Sequence, residues 1–286
     1  MEIIIGKTAG FCFGVENAVN KTEEFLSKYK ESYCLGELVH NKQVIEELKN
    51  KGLITINNIK EANKNVIIRA HGEPLKTYQE AKKLGINVLD LTCPRVLKIH
   101  NIAIEYSNNG YYILLIGQKE HPETIGTISY CGGNATIVQN KEEIEEALNK
   151  VYNSNTNKVL ILSQTTYSIE KFKHIIELIQ EQIENKNIEL EIKNTICNAT
   201  KLRQEETEKI AKVVDLMIII GGKNSSNTNK LLDISNNYCD NCMLIETSEE
   251  IDIEYVKQFA KVGIMAGAST PQKSINSVIE MIKDIC

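Results

Sequence analysis

The chain has 286 residues, 33 Lys and Arg against 38 Asp and Glu for a formal charge of −5, 42% hydrophobic and 25% charged residues, and no Trp. This ordinary globular composition excludes disordered, collagen-like and low-complexity classes, and the length allows two or three compact units. The acidic balance, with Arg69, Arg95 and Arg203 as the arginines, gives no electrostatic reason to expect a nucleic-acid surface.

Taken in chain order, a strand is predicted over 2–5, a helix over 42–50, strands over 65–69 and 87–91 with a helix over 74–84 between them, and a strand over 111–116. A helix over 142–149, a strand over 159–162 and helices over 169–184 and 201–213 follow. Strands over 217–220, 243–245 and 262–265 and a helix over 272–285 complete the list, with Pro74 and Pro271 suited to first-turn positions. This is the βαβ rhythm of parallel sheets covered by helices. Apolar runs such as 111–116 and 216–220 are far shorter than the roughly 18 residues of a membrane span, and residues 1–7 carry an early acid and only a short apolar run. The chain is therefore expected to be soluble and cytoplasmic, with no membrane partner. Its 8 cysteines are then better read as metal-binding, reactive or core thiols than as disulfides.

A repeat organises those cysteines. Cys12, Cys93 and Cys197 each precede a strand-ending glycine (Gly36, Gly117, Gly221) by 24 residues, and four residues beyond each glycine stands His40, His121 or Ser225. A later polar residue follows another apolar strand in each unit: His71, Thr165 and Ser269. Thr165 and Ser269 lie 72 residues after their cysteines, whereas His71 lies 59 after Cys12, so the first unit is the shortened one. The pattern predicts an α/β fold of three pseudo-equivalent units, over 1–92, 93–193 and 194–286, about a pseudo-threefold axis. Ligand sites in open α/β sheets gather at strand carboxyl ends, so the three cysteines are expected to face one shared central site.

Three thiolates without a fourth equivalent cannot close a Cys₄ site. On an iron–sulfur cluster they leave one iron open, able to act as a Lewis acid as well as an electron source. Two alternatives stay open here: a zinc hydrolase with Cys and His ligands, and a cluster-free anion-binding protein whose cysteines are core residues. Cys34, Cys131, Cys286 and the solitary Cys239-Asp-Asn-Cys242 pair are read as core-type thiols, the C-x-x-C spacing of the pair leaving metal binding or redox cycling as its alternative. The polar loops suit an anion: helix N-termini offer unpaired N–H groups, Ser225, Ser226, Asn227, Thr228 and Ser269 add donors, and His40, His71 and His121 add charge. His100 and His174 fall mid-helix and are read as surface residues. Glu123 is the acid closest to the expected centre, and partial burial there would fit it for proton donation. Thr165 would hold a ligand hydroxyl or a proton relay, with Thr166 as the competing assignment. Neither the Gly-x-x-x-x-Gly-Lys nor the Gly-x-Gly-x-x-Gly fingerprint occurs.

These segments resemble a known family. Gly10-Phe11-Cys12-Phe13-Gly14-Val15, Leu38-Val39-His40-Asn41, Arg69-Ala70-His71-Gly72, Asp90-Leu91-Thr92-Cys93-Pro94, Glu120-His121-Pro122-Glu123, Ser163-Gln164-Thr165-Thr166, Ile196-Cys197-Asn198-Ala199-Thr200, Gly222-Lys223-Asn224-Ser225-Ser226-Asn227 and Ala266-Gly267-Ala268-Ser269 are similar to the motif set of the 4-hydroxy-3-methylbut-2-enyl diphosphate reductases. The resemblance implies the last step of the methylerythritol phosphate route to isoprenoids, the reductive dehydroxylation of an allylic diphosphate to isopentenyl and dimethylallyl diphosphate. It implies a 4Fe-4S cluster among three α/β domains, held by Cys12, Cys93 and Cys197 with its fourth iron open to the substrate hydroxyl. The diphosphate would lie among His40, His71, His121, Ser225, Ser226, Asn227 and Ser269, with Glu123 supplying protons and Thr165 assisting. A monomer, reduced by ferredoxin or flavodoxin, is also implied.

Overall fold

The long apolar runs form strands, and all of the strand pairings are parallel. The computed structural model describes residues 1–284; Cys286 and the last residue of the predicted 272–285 helix lie outside them. The chain begins with β1 (Glu2–Ile5) and α1 (Phe13–Lys28), then β2 (Ser32–Leu35), α2 (Lys42–Asn50), β3 (Leu53–Ile56), β4 (Asn65–Ile68), α3 (Leu75–Lys83) and β5 (Asn87–Asp90). Next come α4 (Pro94–Asn108), β6 (Tyr112–Ile116), α5 (Pro122–Ile128), β7 (Ala135–Val138), α6 (Ile144–Tyr152), β8 (Lys158–Ser163), α7 (Ile169–Ile183) and β9 (Glu189–Ile192). The last stretch holds α8 (Asn198–Ala211), β10 (Leu216–Ile220), α9 (Ser226–Asn236), β11 (Cys242–Ile245), α10 (Ile253–Val256), β12 (Lys261–Ala266) and α11 (Gln272–Lys283).

The strands make three four-stranded sheets, ordered β3-β2-β4-β5, β7-β6-β8-β9 and β11-β10-β12-β1. Each has the same internal order, second-first-third-fourth, so the repeat read from cysteine spacing is a repeat of topology. The fourth strand of the last sheet comes from the chain start: β1 pairs with β12 from Glu2↔Lys261 to Ile5↔Ile264. β1 is an edge strand, exposed at Glu2 and Ile5 and half-buried between them, and nothing in its four residues marks a partner some 260 positions along the chain.

By density of contacts the chain divides into two compact units. One comprises Met1–Glu23, Glu37–Gly52 and the chain from Asn198 onward; the other comprises Glu24–Gly36 and Leu53–Cys197. The chain start with β1 and the segment with α2 thus fall in the same unit as the last third of the chain. In the second unit, alternate side chains of one sheet bury opposite ways. Tyr112, Leu114, Ile116, Val159 and Ile161 pack with α6 and α7, while Ile113, Leu115, Leu160 and Leu162 pack with Ile99 and Ala103 of α4. In the first unit, Leu216, Ile218, Ile220, Val262 and Ile264 meet Ile275, Val278 and Ile282 of α11, and Met217, Ile219 and Met265 meet α8 and Leu231 of α9. Full burial of each Val, Leu, Ile or Met among them contributes about 1.5–3 kcal/mol.

His100 is not on the surface. It is 3% exposed, on the inner face of α4 with Val96, Ile99 and Ala103, and its ring stacks on Tyr130 with centroids 4.1 Å apart. Burial lowers its pKa to about 4, so it is neutral at physiological pH. His174 is exposed. Among the described residues no helix is long and apolar enough to cross a membrane.

Candidate active site

Every residue singled out by the repeat stands just beyond the carboxyl end of a strand. Cys12, Cys93 and Cys197 follow the fourth strands β1, β5 and β9, and directly precede α1, α4 and α8. Their backbone anchors are equivalent. Cys12 N–H donates to the Ala268 carbonyl (3.1 Å), Cys93 N–H to Ala70 (2.9 Å) and Cys197 N–H to Thr165 (3.0 Å), in each case a loop residue after the third strand of the sheet. All three are partly buried and outside any disulfide. Cys34 and Cys131, in contrast, are fully buried, and burial pushes both thiols up to about 12, which suits core residues rather than thiolate ligands. Cys239 donates to the Asn241 carbonyl and Cys242 to the Cys239 carbonyl; burial and the neighbouring Cys239 push Cys242 up to about 12. Each of the three helix-heading cysteines is thus a partly buried thiol outside any disulfide, with a local setting that the chemistry of a metal ligand fits.

In the second unit Glu123 is the chemical focus. His121 caps α5, its Nδ1 accepting the Glu123 N–H at 3.2 Å, and Pro122 at the first helical position presets the turn. Nδ1 as acceptor leaves Nε2 as the donor of the neutral ring. Glu123 is 2% exposed. Its carboxylate accepts the Thr165 N–H and the Thr165 hydroxyl, each at 2.6 Å. Burial raises its pKa to about 7 despite those two bonds, which pull the other way. Of the adjacent threonines, Thr165 meets the acid; Thr166 Oγ1 accepts from Gln164 Nε2 (2.8 Å). The Gln164 carboxamide, unremarked in the sequence, also accepts the Gln118 N–H at 2.9 Å and so ties the β6 and β8 loops together. The His71 and His121 rings stand edge to face, 5.2 Å apart.

The loop carrying His71 is fixed to α5. Tyr130 Oη donates to the Glu73 carbonyl (3.2 Å), and Leu75 N–H donates to Ser129 Oγ (3.1 Å). Arg69 meets Glu73 at 3.1 Å and lies over Gly36, where a Cβ would come within 2.3 Å of the guanidinium. That approach, with φ at +70°, is why a glycine ends β2.

In the first unit the loops carrying His40 and Ser269 meet, and Ser225, Ser226 and Asn227 form the N-cap and first turn of α9 after β10. Ser269 Oγ donates to the His40 carbonyl (3.1 Å), and a Cβ on Gly222 would stand 2.3 Å from that same oxygen. Ser225 caps α9 by accepting the Thr228 N–H at 3.3 Å, and Ser226 is the first helical residue. Asn227 is 4% exposed, yet neither its carboxamide nitrogen nor its oxygen has a partner. A buried amide left unsatisfied costs about 1–3 kcal/mol, which a polar ligand would recover. Asn227 stands in the first turn of α9, where backbone N–H groups and the helix dipole also favour an anion.

The fold and these groups define an α/β protein of parallel sheets that carries thiols, hydroxyls and imidazoles at strand carboxyl ends in each unit, and in the second unit a buried carboxylic acid whose pKa is raised to about 7. Comparison with known proteins identifies its kind. The chain belongs to the LytB protein family, whose model matches residues 3–283. A 4-hydroxy-3-methylbut-2-enyl diphosphate reductase of Aquifex aeolicus (strain VF5) is 42% identical over 292 residues, spanning 100% of this chain and 97% of the relative. A solved structure of (E)-4-hydroxy-3-methyl-but-2-enyl diphosphate reductase, the terminal enzyme of the non-mevalonate pathway, is 41% identical with a TM-score of 0.72, covering 99% of this chain and 100% of that one. That of the E-1-hydroxy-2-methyl-but-2-enyl-4-diphosphate reductase from Plasmodium falciparum is 30% identical with a TM-score of 0.88, covering 98% of this chain and 87% of that one.

Proposed function

We propose that this protein reduces 4-hydroxy-3-methylbut-2-enyl diphosphate to isopentenyl and dimethylallyl diphosphate: two electrons and two protons enter, the allylic C–O bond breaks, and water leaves. The observation that carries the reading is the threefold cysteine placement, each thiol heading a helix with its N–H fixed on an equivalent loop carbonyl. A 4Fe-4S cluster held by Cys12, Cys93 and Cys197 would supply the electrons and an open iron for the substrate oxygen. The protein's own groups do the rest.

His40, His71, His121, Ser225, Ser226, Asn227 and Ser269 bind the diphosphate, with the Asn227 amide and the α9 N-terminus as its most directional donors. Glu123 gives up a proton while Thr165 holds the carboxyl in place and passes the proton through its hydroxyl. Near pH 7 the acid is present in both forms, so it can donate and be recharged. The functional repeat is the three segments 1–92, 93–193 and 194–286, each contributing one cysteine. The chain works as a cytoplasmic monomer that takes electrons singly from ferredoxin or flavodoxin. The test is anaerobic turnover with a chemical one-electron donor. Formation of both diphosphate products by the wild type, and its loss in Glu123→Gln with substrate affinity kept, supports the assignment; near-normal turnover by that variant removes Glu123 as proton donor.

A further inference from the structure

The loops leading to the three cysteines are of unequal length. The last residue whose backbone N–H pairs with a backbone carbonyl of the neighbouring strand is Leu91 two residues before Cys93, Lys193 four before Cys197, and Gly6 six before Cys12. The short loops are held locally: Asp90 accepts the Thr92 N–H at 3.0 Å, and Thr195 N–H donates to Ser163 Oγ at 3.1 Å. The long one is held by α8, some 195 residues away. Arg203, 3% exposed, donates from Nε to the Thr8 carbonyl (2.9 Å) and from Nη2 to the Gly10 carbonyl (2.8 Å). Glu206, one helical turn further, accepts the Lys7 N–H (2.8 Å), the Thr8 N–H (2.7 Å) and the Thr8 hydroxyl. Against the cost of its burial, those bonds from Thr8 and Lys7 hold the Glu206 carboxyl below the usual range, so it accepts as a carboxylate. Gly10, at φ +100°, makes the bend that turns its carbonyl to Arg203.

We infer that Arg203 and Glu206 are positioning residues for Cys12, fixing the 7–10 loop to α8, the helix that begins one residue after Cys197. The inference rests on the cluster reading above. The clamp makes an otherwise long and loose loop present its thiol at one place, so that a ligand carried by the chain start is as firmly held as the two carried by short loops. Charge-assisted hydrogen bonds to backbone are the stronger kind, and removing the donor leaves two carbonyls without their partner.

The test is iron removal from reconstituted, anaerobic protein by a strong chelator, followed by the visible absorbance of the cluster, with thermal unfolding measured in parallel. Arg203→Met keeps the unbranched apolar stem of the side chain and deletes its donors; we expect stripping about ten-fold faster than in the wild type, and partial recovery in Arg203→Lys, which restores one donor group. Glu206→Gln, whose carboxamide still accepts, gives a smaller acceleration and keeps the role testable should Arg203→Met fold poorly. Ile210→Val, a cavity on the same helix, supplies general destabilisation without touching the loop. Stripping of Arg203→Met within two-fold of the wild type, or equal acceleration by Ile210→Val, overturns the role of Arg203. A wild type that takes up no iron overturns the cluster reading, and this role with it.

Discussion

Replacing Glu123 by Gln removes a buried acid whose pKa is raised to about 7. A carboxyl with the ordinary value of 4.5 is only about 0.3% protonated at pH 7, whereas one raised to about 7 is about half protonated, a gain of more than a hundred-fold in the proton-donating form. Because folding raises this pKa, the folded chain holds the proton more tightly. The stability it contributes is full below about 4.5 and is lost as pH rises through about 7, by about 3 kcal/mol. The assay is infrared difference spectroscopy of the protonated-carboxyl stretch, wild type minus Glu123→Gln, across pH 4 to 9. One band should disappear with a midpoint near 7, and the rate at saturating substrate should fall above the same region unless substrate moves the value. A general acid is typically worth about a hundred-fold or more, so kcat of Glu123→Gln should drop by at least that factor with KM little changed. A band titrating near 4.5 would refute the argument from burial.

Other consequences follow from the same geometry. In Thr165→Val the hydroxyl bond that favours the Glu123 carboxylate is gone, so the midpoint should move further up, while Thr165→Ser should keep it; a downward move in Thr165→Val contradicts the hydrogen-bond assignment. Asn227→Ala removes two buried, unpartnered polar atoms, so thermal stability should hold or rise while KM for the diphosphate increases about ten-fold. A less stable variant with unchanged KM would make Asn227 a structural residue. Serine in place of Cys12, Cys93 or Cys197 should each lower bound iron, whereas Cys131→Ala should leave it unchanged; equal iron in Cys197→Ser takes that residue out of the ligand set.

Central strands were readable because they are long and apolar throughout: 111–116 and 217–220 appear within a residue as β6 and β10. Of the edge strands, 2–5, 87–91 and 243–245 were read and appear as β1, β5 and β11, whereas β3, β7 and β9 were not. β9 reads Glu-Leu-Glu-Ile and β3 is exposed at two of its four positions, so neither carries the continuous apolar run that marked the others. The cysteine–glycine spacing carried the repeat because each interval is one helix plus one central strand, lengths fixed by the width of a sheet. What spacing could not carry was closure of the chain on itself, since β1 finds β12 across the whole sequence. His100 could have been read as buried from Val96, Ile99 and Ala103, which share its helical face. Arg203 stood out as one of three arginines, but its backbone partners lie nearly two hundred residues away, where no local pattern reaches.

The central claim is that Cys12, Cys93 and Cys197 hold a cluster with one iron open to substrate. Its most direct measurement is iron and acid-labile sulfide per chain in anaerobically purified protein, together with the visible spectrum before and after the allylic hydroxy-diphosphate is added. The account predicts about four of each and a spectrum that shifts with substrate. Zinc in place of iron, or no iron after anaerobic reconstitution, would contradict it.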